Sequence, residues 1–183
     1  MESQQSESKN IFRGGIQKGT MAWDAQSLAL DKQVQRVAEK LINHPAVISL
    51  GITYARKLKK NQIPGGIGAC QPDGGVWFDK EGTLIAAFEA KKQSKGGNAI
   101  ERWYKNEKML RTLNQNTNYV TFASGEGADI RHSIGQILAI AVYENGEHNF
   151  NKYRKNKNSI FMNPNGFTDD EIECVMLEAL IGD

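Results

Sequence analysis

The sequence has few cysteines, no long apolar segment and little net charge, and each shortage excludes a class of protein. Its 183 residues include two cysteines, Cys70 and Cys174, which lie far apart and match no zinc-ligand spacing. No apolar run approaches the roughly 20 residues that span a bilayer. Because the net charge is only +2, composition does not by itself indicate nucleic-acid binding. A binding function must therefore rest on the local arrangement of residues.

Chain length and the polar N-terminal segment predict the domain organisation. A chain of 183 residues with 39% hydrophobic content can bury one core but is short for two ordinary domains. Residues 1–20 are polar and show no periodic apolar pattern, so we expect a flexible arm followed by a single domain over residues 21–183. The opening residues also lack the apolar core of a signal peptide. We therefore expect a cytoplasmic protein with reduced thiols and no membrane contact.

Apolar periodicity predicts an α/β fold in which helices flank a mixed central β-sheet. Helices are predicted at residues 27–44, 98–113, 129–143 and 168–181, the last with Thr168 as its N-cap. Strands or short apolar segments are predicted at residues 46–55, 75–78, 83–89, 119–123 and 159–162. A polar turn that ends in Gly82 separates the second of these segments from the third. The two segments should therefore form a β-hairpin.

This hairpin carries two carboxylates and a lysine. Pro72-Asp73 opens it, and Glu89-Ala90-Lys91 ends its second strand. Because strand side chains alternate, Glu89 and Lys91 point to the same face, and Asp73 can approach them across the hairpin. Phosphodiester hydrolysis needs a hard divalent cation, and Mg²⁺ binds a few carboxylate oxygens while keeping several waters. The pattern predicts Asp73 and Glu89 as magnesium ligands. Lys91 would hold the scissile phosphate and the attacking water, or help to deprotonate that water.

The Glu-x-Lys triplet alone is a weak signal. A second copy, Glu7-Ser8-Lys9, lies in the polar arm, whereas the triplet at Glu89 ends an apolar strand and follows the only Pro-Asp pair in the sequence. The alternative interpretation is a hairpin whose edge carries an ordinary surface Glu–Lys pair. Additional residues must separate the two interpretations.

Three segments, QPDGGVWF, FEAKKQ and GGNAIERWYKN, resemble the active-site and recognition segments of the EcoRI-like type II restriction endonucleases. This family, which includes MunI, belongs to the PD-(D/E)xK nuclease superfamily. The resemblance covers about residues 72–126, and the six residues GNAIER are identical to the corresponding residues of the family. It implies a restriction-endonuclease-like core with Asp73, Glu89 and Lys91 as catalytic residues. It also implies that Mg²⁺ is bound by Asp73, Glu89 and the backbone carbonyl of Ala90.

The same resemblance implies that the chain reads the central AATT bases of a DNA site in the major groove. The DNA-binding residues that it implies are Gln93, Gly97, Asn98, Ala99, Glu101 and Arg102. These residue types suit the task, because asparagine can bond adenine N6 and N7, glutamate accepts from exocyclic amines and arginine donates to purine acceptors. Only residues 92–96 separate Lys91 from GNAIER, which is shorter than in the family. Either the site is the four-base AATT, or another loop, such as residues 57–61, reads the flanking pair.

The resemblance therefore implies a type II restriction endonuclease that acts as a homodimer on double-stranded DNA, since a palindromic site has two equivalent scissile bonds. Its products would carry 5′-phosphates and 5′ overhangs. A DNA methyltransferase would accompany it without forming a stable complex. One alternative is a repair or junction nuclease of the same fold that selects DNA structure, against which the GNAIER segment argues. Another is a non-catalytic DNA-binding protein, against which the presence of Asp73, Glu89 and Lys91 argues.

Overall fold

The computed structural model describes residues 21–63, 65, 68–91, 97–124, 151–155, 158–163 and 165–182. The predicted arm at residues 1–20 and the predicted helix at residues 129–143 lie outside these ranges.

The described chain folds into an α/β structure with one mixed sheet. Its helices are α1 (Met21–Leu41), α2 (Pro45–Ser49), α3 (Gly97–Leu113) and α4 (Asp169–Ile181). Its strands are β1 (Thr53–Ala55), β2 (Val76–Phe78), β3 (Leu84–Lys91), β4 (Asn118–Ala123), β5 (Asn151–Lys155) and β6 (Asn158–Met162). The strand order is β1-β2-β3-β4-β6-β5, with β3, β4 and β6 mutually parallel and the outer pairings antiparallel. The predicted fold class is confirmed at this level.

Alternation along β3 divides the interior into two cores. Ala86, Phe88 and Ala90 belong to a core that α1 and α4 cover, whereas Ala87 belongs to a core beneath α3. Residues two apart in a strand point to the same face, so Glu89 and Lys91 share the α3 side with Ala87. None of the described helices is long and apolar enough to cross a bilayer.

The two helices that cover the first core follow their sequence signals. The apolar positions of α1 are buried against the sheet: Leu30, Val34, Val37, Ala38 and Leu41. Helix α4 begins with the predicted cap, in which the Thr168 hydroxyl accepts the Glu171 N–H at 3.1 Å and the Glu171 carboxylate accepts the Thr168 N–H at 2.9 Å. This reciprocal pair satisfies two backbone donors that a helix start otherwise leaves unpaired.

The prediction of a strand over residues 46–55 is wrong for most of its length. Pro45 and the next four residues form α2, and only Thr53–Ala55 are a strand. The reason is local, because Pro45 is preorganised for the first helical position and the His44 ring accepts the Ala46 N–H at 3.2 Å. These capping interactions outweigh the β preference of Val47 and Ile48.

The predicted hairpin is present as β2 and β3. Asp79 organises the turn, since its Oδ1 accepts the N–H groups of Glu81 and Thr83, both at 2.9 Å. Gly82 has a φ of 81°, which a glycine adopts without strain. On the other side of β3, its parallel pairing with β4 places Glu89 opposite Thr121 and Lys91 opposite Ala123.

Candidate active site

A close approach between the Pro72–Gly75 turn and β3 brings Asp73 to the site. The Gly74 N–H donates to the Phe88 carbonyl at 2.8 Å. A Cβ on Gly74 would lie 2.6 Å from the Phe88 Cβ, so only glycine fits this position. The Ala90 N–H then donates to Asp73 Oδ2 at 2.9 Å. The turn therefore fixes the Asp73 carboxylate beside the last residues of β3.

Glu89 is the buried centre of the site, with 5% of its surface exposed. Its carboxyl lies within hydrogen-bonding reach of the Asp73 carboxyl. The Tyr119 hydroxyl donates to Glu89 Oε2 at 3.0 Å, and the Asn106 amide donates to the same oxygen at 3.3 Å. Both of these donors bond Oε2, and the Glu89 carboxyl also interacts with Asp73.

The carboxyl pair is electrostatically strained. Burial raises the pKa of Glu89 well above its usual value, and the hydrogen bond to Asp73 and the charge of Asp73 raise it further. The charge of Lys91 and the Tyr119 hydrogen bond act in the opposite direction. Two carboxylates this close repel each other when both are charged, and burial of Glu89 increases the free-energy cost of that state. The pair therefore favours either a shared proton or a bound cation.

Two other titratable side chains beside Glu89, Cys70 and Tyr119, are neutral. Burial, together with the nearby Glu89 charge, raises the pKa of Cys70 to about 12 and that of Tyr119 well above its usual value. Tyr119 is therefore a neutral phenol whose hydroxyl donates a hydrogen bond to Glu89, and Cys70 is a buried thiol. Both cysteines are free.

The residues present fit a magnesium ion. Mg²⁺ is usually held by one or two carboxylates and keeps several waters, so it does not need a cage of protein ligands. Asp73 and Glu89 supply two oxygen ligands that contact each other, and the Ala90 peptide adjoins both. Within the described ranges, no group of three or more His, Cys, Asp or Glu side chains is placed so that it could hold a metal ion. Lys91 lies on the same face of β3 and is half-buried.

The sequence-predicted DNA-reading residues are placed less completely. Gln93 lies outside the residues that the structure describes. Helix α3 begins at Gly97, so Asn98, Ala99 and Glu101 lie in its first part. Arg102 follows them and is exposed. The GNAIER segment is thus the start of the helix that also covers the carboxyl pair.

Sequence reasoning missed the groups that hold Glu89, namely Tyr119 and Asn106. A signal for Tyr119 is present, because it alternates with Thr121 in β4, and the parallel register pairs Thr121 with Glu89. Recognising β4 as the neighbour of β3 would have placed Tyr119 on the face of Glu89. Asn106 lies four residues after Arg102, on the same side of α3. Following the same side of the helix one turn beyond GNAIER would have identified it as a candidate.

Comparison with known proteins adds no relative to this geometry. The chain matches no protein-family profile, no curated protein and no solved structure. The interpretation of the site therefore rests on its own residues and on the resemblance of its three segments.

Proposed function

We propose that this chain is a magnesium-dependent endonuclease that cuts double-stranded DNA, with a restriction-endonuclease-like core of the EcoRI type. One observation carries the proposal: the Ala90 N–H holds the Asp73 carboxylate within hydrogen-bonding reach of the buried Glu89 carboxyl, and Lys91 lies on the same face of β3 as Glu89. A surface Glu–Lys pair, the alternative interpretation of the triplet, does not account for a Glu89 that is 5% exposed. A buried Glu89 beside the partly buried Asp73 instead suits a site that holds a cation.

The chain's own groups divide the work of phosphodiester hydrolysis. Asp73, Glu89 and the Ala90 carbonyl would hold Mg²⁺, which when bound neutralises phosphate charge and lowers the pKa of a coordinated water. The Ala90 N–H keeps Asp73 Oδ2 in place, and Tyr119 keeps Glu89 Oε2 in place. The Lys91 ammonium would bind the scissile phosphate and stabilise the charge that develops in the transition state. The products would be a 3′-hydroxyl and a 5′-phosphate.

The start of α3 supports a DNA-contacting role. Arg102, Lys105 and Lys108 are exposed along this helix, and the Lys108 ammonium lies 4.5 Å from the centre of the Tyr104 ring. Such exposed cations suit phosphate contacts that position a duplex. We propose that residues 97–102 read AATT at the centre of a palindromic site and that the enzyme acts as a homodimer, with each subunit cutting one strand. The ends would carry 5′ overhangs.

The test is digestion of a fully sequenced DNA with purified protein and Mg²⁺, with EDTA as the control, followed by sequencing of every cut end. Discrete ends that share AATT are expected. Cuts that follow DNA structure rather than sequence would favour a repair or junction nuclease. Tight DNA binding without cleavage would favour a non-catalytic DNA-binding protein.

Matched variants of the same hairpin assign the chemistry to the site. Lys91→Ala should lower the cleavage rate by about 100-fold or more, because it removes a charge that stabilises the transition state. Lys80→Ala removes an exposed lysine in the turn of the same hairpin and should leave the rate within about twofold. Undiminished cutting by Lys91→Ala would overturn the assigned role.

A further inference from the structure

The Glu89 carboxyl is held by two structural elements at once. Its Oε2 accepts one hydrogen bond from Tyr119 in β4 at 3.0 Å and one from Asn106 in α3 at 3.3 Å. Tyr119 is fully buried in the central parallel strands, so its hydroxyl moves only with the sheet. Asn106 is half-buried on a helix that lies over the sheet. The second bond is the longer of the two and depends on where α3 sits.

Helix α3 contacts the surroundings of Glu89 through a second residue. The Trp103 indole N–H donates to the Thr121 hydroxyl at 2.8 Å, and Thr121 is the β4 partner of Glu89. The Trp103 ring also stacks on Tyr119, with centroids 5.1 Å apart and planes inclined by 17°. Helix α3 therefore reaches the site through Asn106, which bonds Glu89 itself, and through Trp103, which contacts the neighbouring β4 residues.

The far end of α3 is fastened separately. Arg111 forms an ion pair with Glu107 at 3.1 Å and donates to the carbonyls of Gln115 and Thr117 and to Asn158 in β6. This network ties the C-terminal end of the helix to the segment before β4 and to β6. Trp103 and Asn106, near the middle of the helix, form hydrogen bonds to the sheet between residues 97–102 and this network. A contact at residues 97–102 would thus act on the part of α3 that precedes the Arg111 network and carries Asn106.

We propose that Asn106 is a positioning residue that makes the orientation of the Glu89 carboxyl depend on the position of α3. The inference rests on the proposed function, because residues 97–102 of the same helix are the proposed DNA readers. Duplex contact at the start of α3 and cation binding at Asp73 and Glu89 are then energetically coupled. Coupling of this kind is reciprocal, so a cation that tightens DNA binding is itself bound more tightly in the presence of DNA.

The measurement uses Ca²⁺ as the probe cation and fluorescence anisotropy of a labelled duplex that contains AATT, in samples checked for the absence of cleavage products. For the wild-type protein, replacing EDTA by Ca²⁺ should tighten binding by about 5- to 150-fold, the usual range of coupling between two sites. In Asn106→Ala this enhancement should fall to about threefold or less, while the affinity in EDTA changes by less than about twofold. Calorimetric titration of Ca²⁺ into the protein with and without duplex should show the same loss.

The control variant is Thr112→Ala. Thr112 is an exposed residue of α3 whose hydroxyl bonds only within the helix in the described contacts, to the Lys108 carbonyl at 2.9 Å. It should retain the wild-type enhancement. If Asn106→Ala does not fold, Asn106→Ser replaces it, because serine keeps a small polar side chain that is too short to reach Glu89.

The outcomes separate the inference from the function on which it rests. A wild-type protein that cleaves DNA and shows the Ca²⁺ enhancement, beside an Asn106 variant with the same enhancement, overturns the inference and leaves the function standing. A wild-type protein that neither binds nor cleaves DNA overturns both. Loss of the enhancement in the Asn106 variant but not in Thr112→Ala supports the inference.

Discussion

The two faces of β3 differ in what they hold. On the side of α1 and α4, Phe88 and Ala90 are packed among apolar side chains that include Trp77, Phe122 and Met176. On the side of α3, the next residue along the strand, Glu89, is equally buried but lies among Asp73, Tyr119 and Asn106. Strand β3 therefore borders an apolar core on each face, and its C-terminal end carries a polar site on the α3 face.

The comparison indicates how stability and chemistry are divided in this chain. Apolar burial on the α1/α4 face stabilises the fold through transfer from water and dense packing. On the α3 face, the carboxyl pair of the buried Glu89 and the partly buried Asp73 lowers stability unless a proton or a cation neutralises it. We infer that apolar packing supports a group of polar side chains at the end of β3 that is arranged for binding rather than for stability.

The largest expected effect breaks the apolar face. Phe88→Ala should reduce the free energy of unfolding by about 3–5 kcal/mol, because it removes a fully buried ring and leaves a cavity between α1 and the sheet. Urea denaturation followed by circular dichroism measures this loss. The control, Phe88→Leu, keeps an apolar side chain and should lose less than about 1.5 kcal/mol. A loss in Phe88→Ala no larger than that expected for Phe88→Leu would show that the ring is not tightly packed.

A substitution on the polar face should raise the free energy of unfolding rather than lower it. Glu89→Gln keeps an oxygen that can accept from Tyr119 and Asn106, and it adds an amide that can donate toward Asp73. In EDTA this variant should be more stable than the wild type at neutral and alkaline pH, because the strained carboxyl pair is gone. It should also lose cleavage activity, because magnesium loses a charged ligand.

The pH dependence gives the test of this prediction. The pKa of Glu89 is raised above its usual 4.5, so the folded protein keeps a proton that the unfolded chain has released. Wild-type stability should therefore fall as the pH rises above 4.5, by up to about 1.4 kcal/mol per pH unit until the raised pKa is passed. Denaturation at several pH values should show this decline for the wild type and for Glu81→Gln, an exposed control in the hairpin turn. Glu89→Gln should lack it, and an unchanged decline in that variant would contradict the interpretation of the site.

Much of both faces could be predicted from the sequence, and the limits are physical. Periodicity located α1 and α4, and alternation placed Glu89 and Lys91 on one side of β3. The strand expected at residues 46–55 was wrong because capping by His44 and Pro45 is a local effect that strand propensity does not include. Element patterns identify residues that share a face, but they do not show which elements become neighbours.

The supports of the candidate site illustrate that second limit. Asp73 and Glu89 are 16 residues apart but belong to one hairpin, so the sequence indicated their contact. Tyr119 and Asn106 reach Glu89 only because β4 pairs in parallel with β3 and because α3, which connects the two strands, lies over the sheet. Pairing between strands that are distant in sequence depends on the whole sheet. Such contacts are visible only once the strand order is known.

The smallest expected effect concerns the rim of the apolar face, where Arg36 of α1 pairs with Asp169 of α4 at 2.9 Å. Both side chains are more than half exposed, so Arg36→Ala should lower the free energy of unfolding by less than about 1 kcal/mol at neutral pH. The pKa of Asp169 is lowered below its usual 3.8, most by a hydrogen bond from Gln33 and next by one from Arg36. The contribution of the pair is therefore present above that value and is lost as the pH falls through the lowered pKa. Urea denaturation at neutral and strongly acidic pH should show a small difference that disappears in acid. A loss comparable to that of Phe88→Ala would mean that polar contacts, rather than apolar burial, stabilise this face.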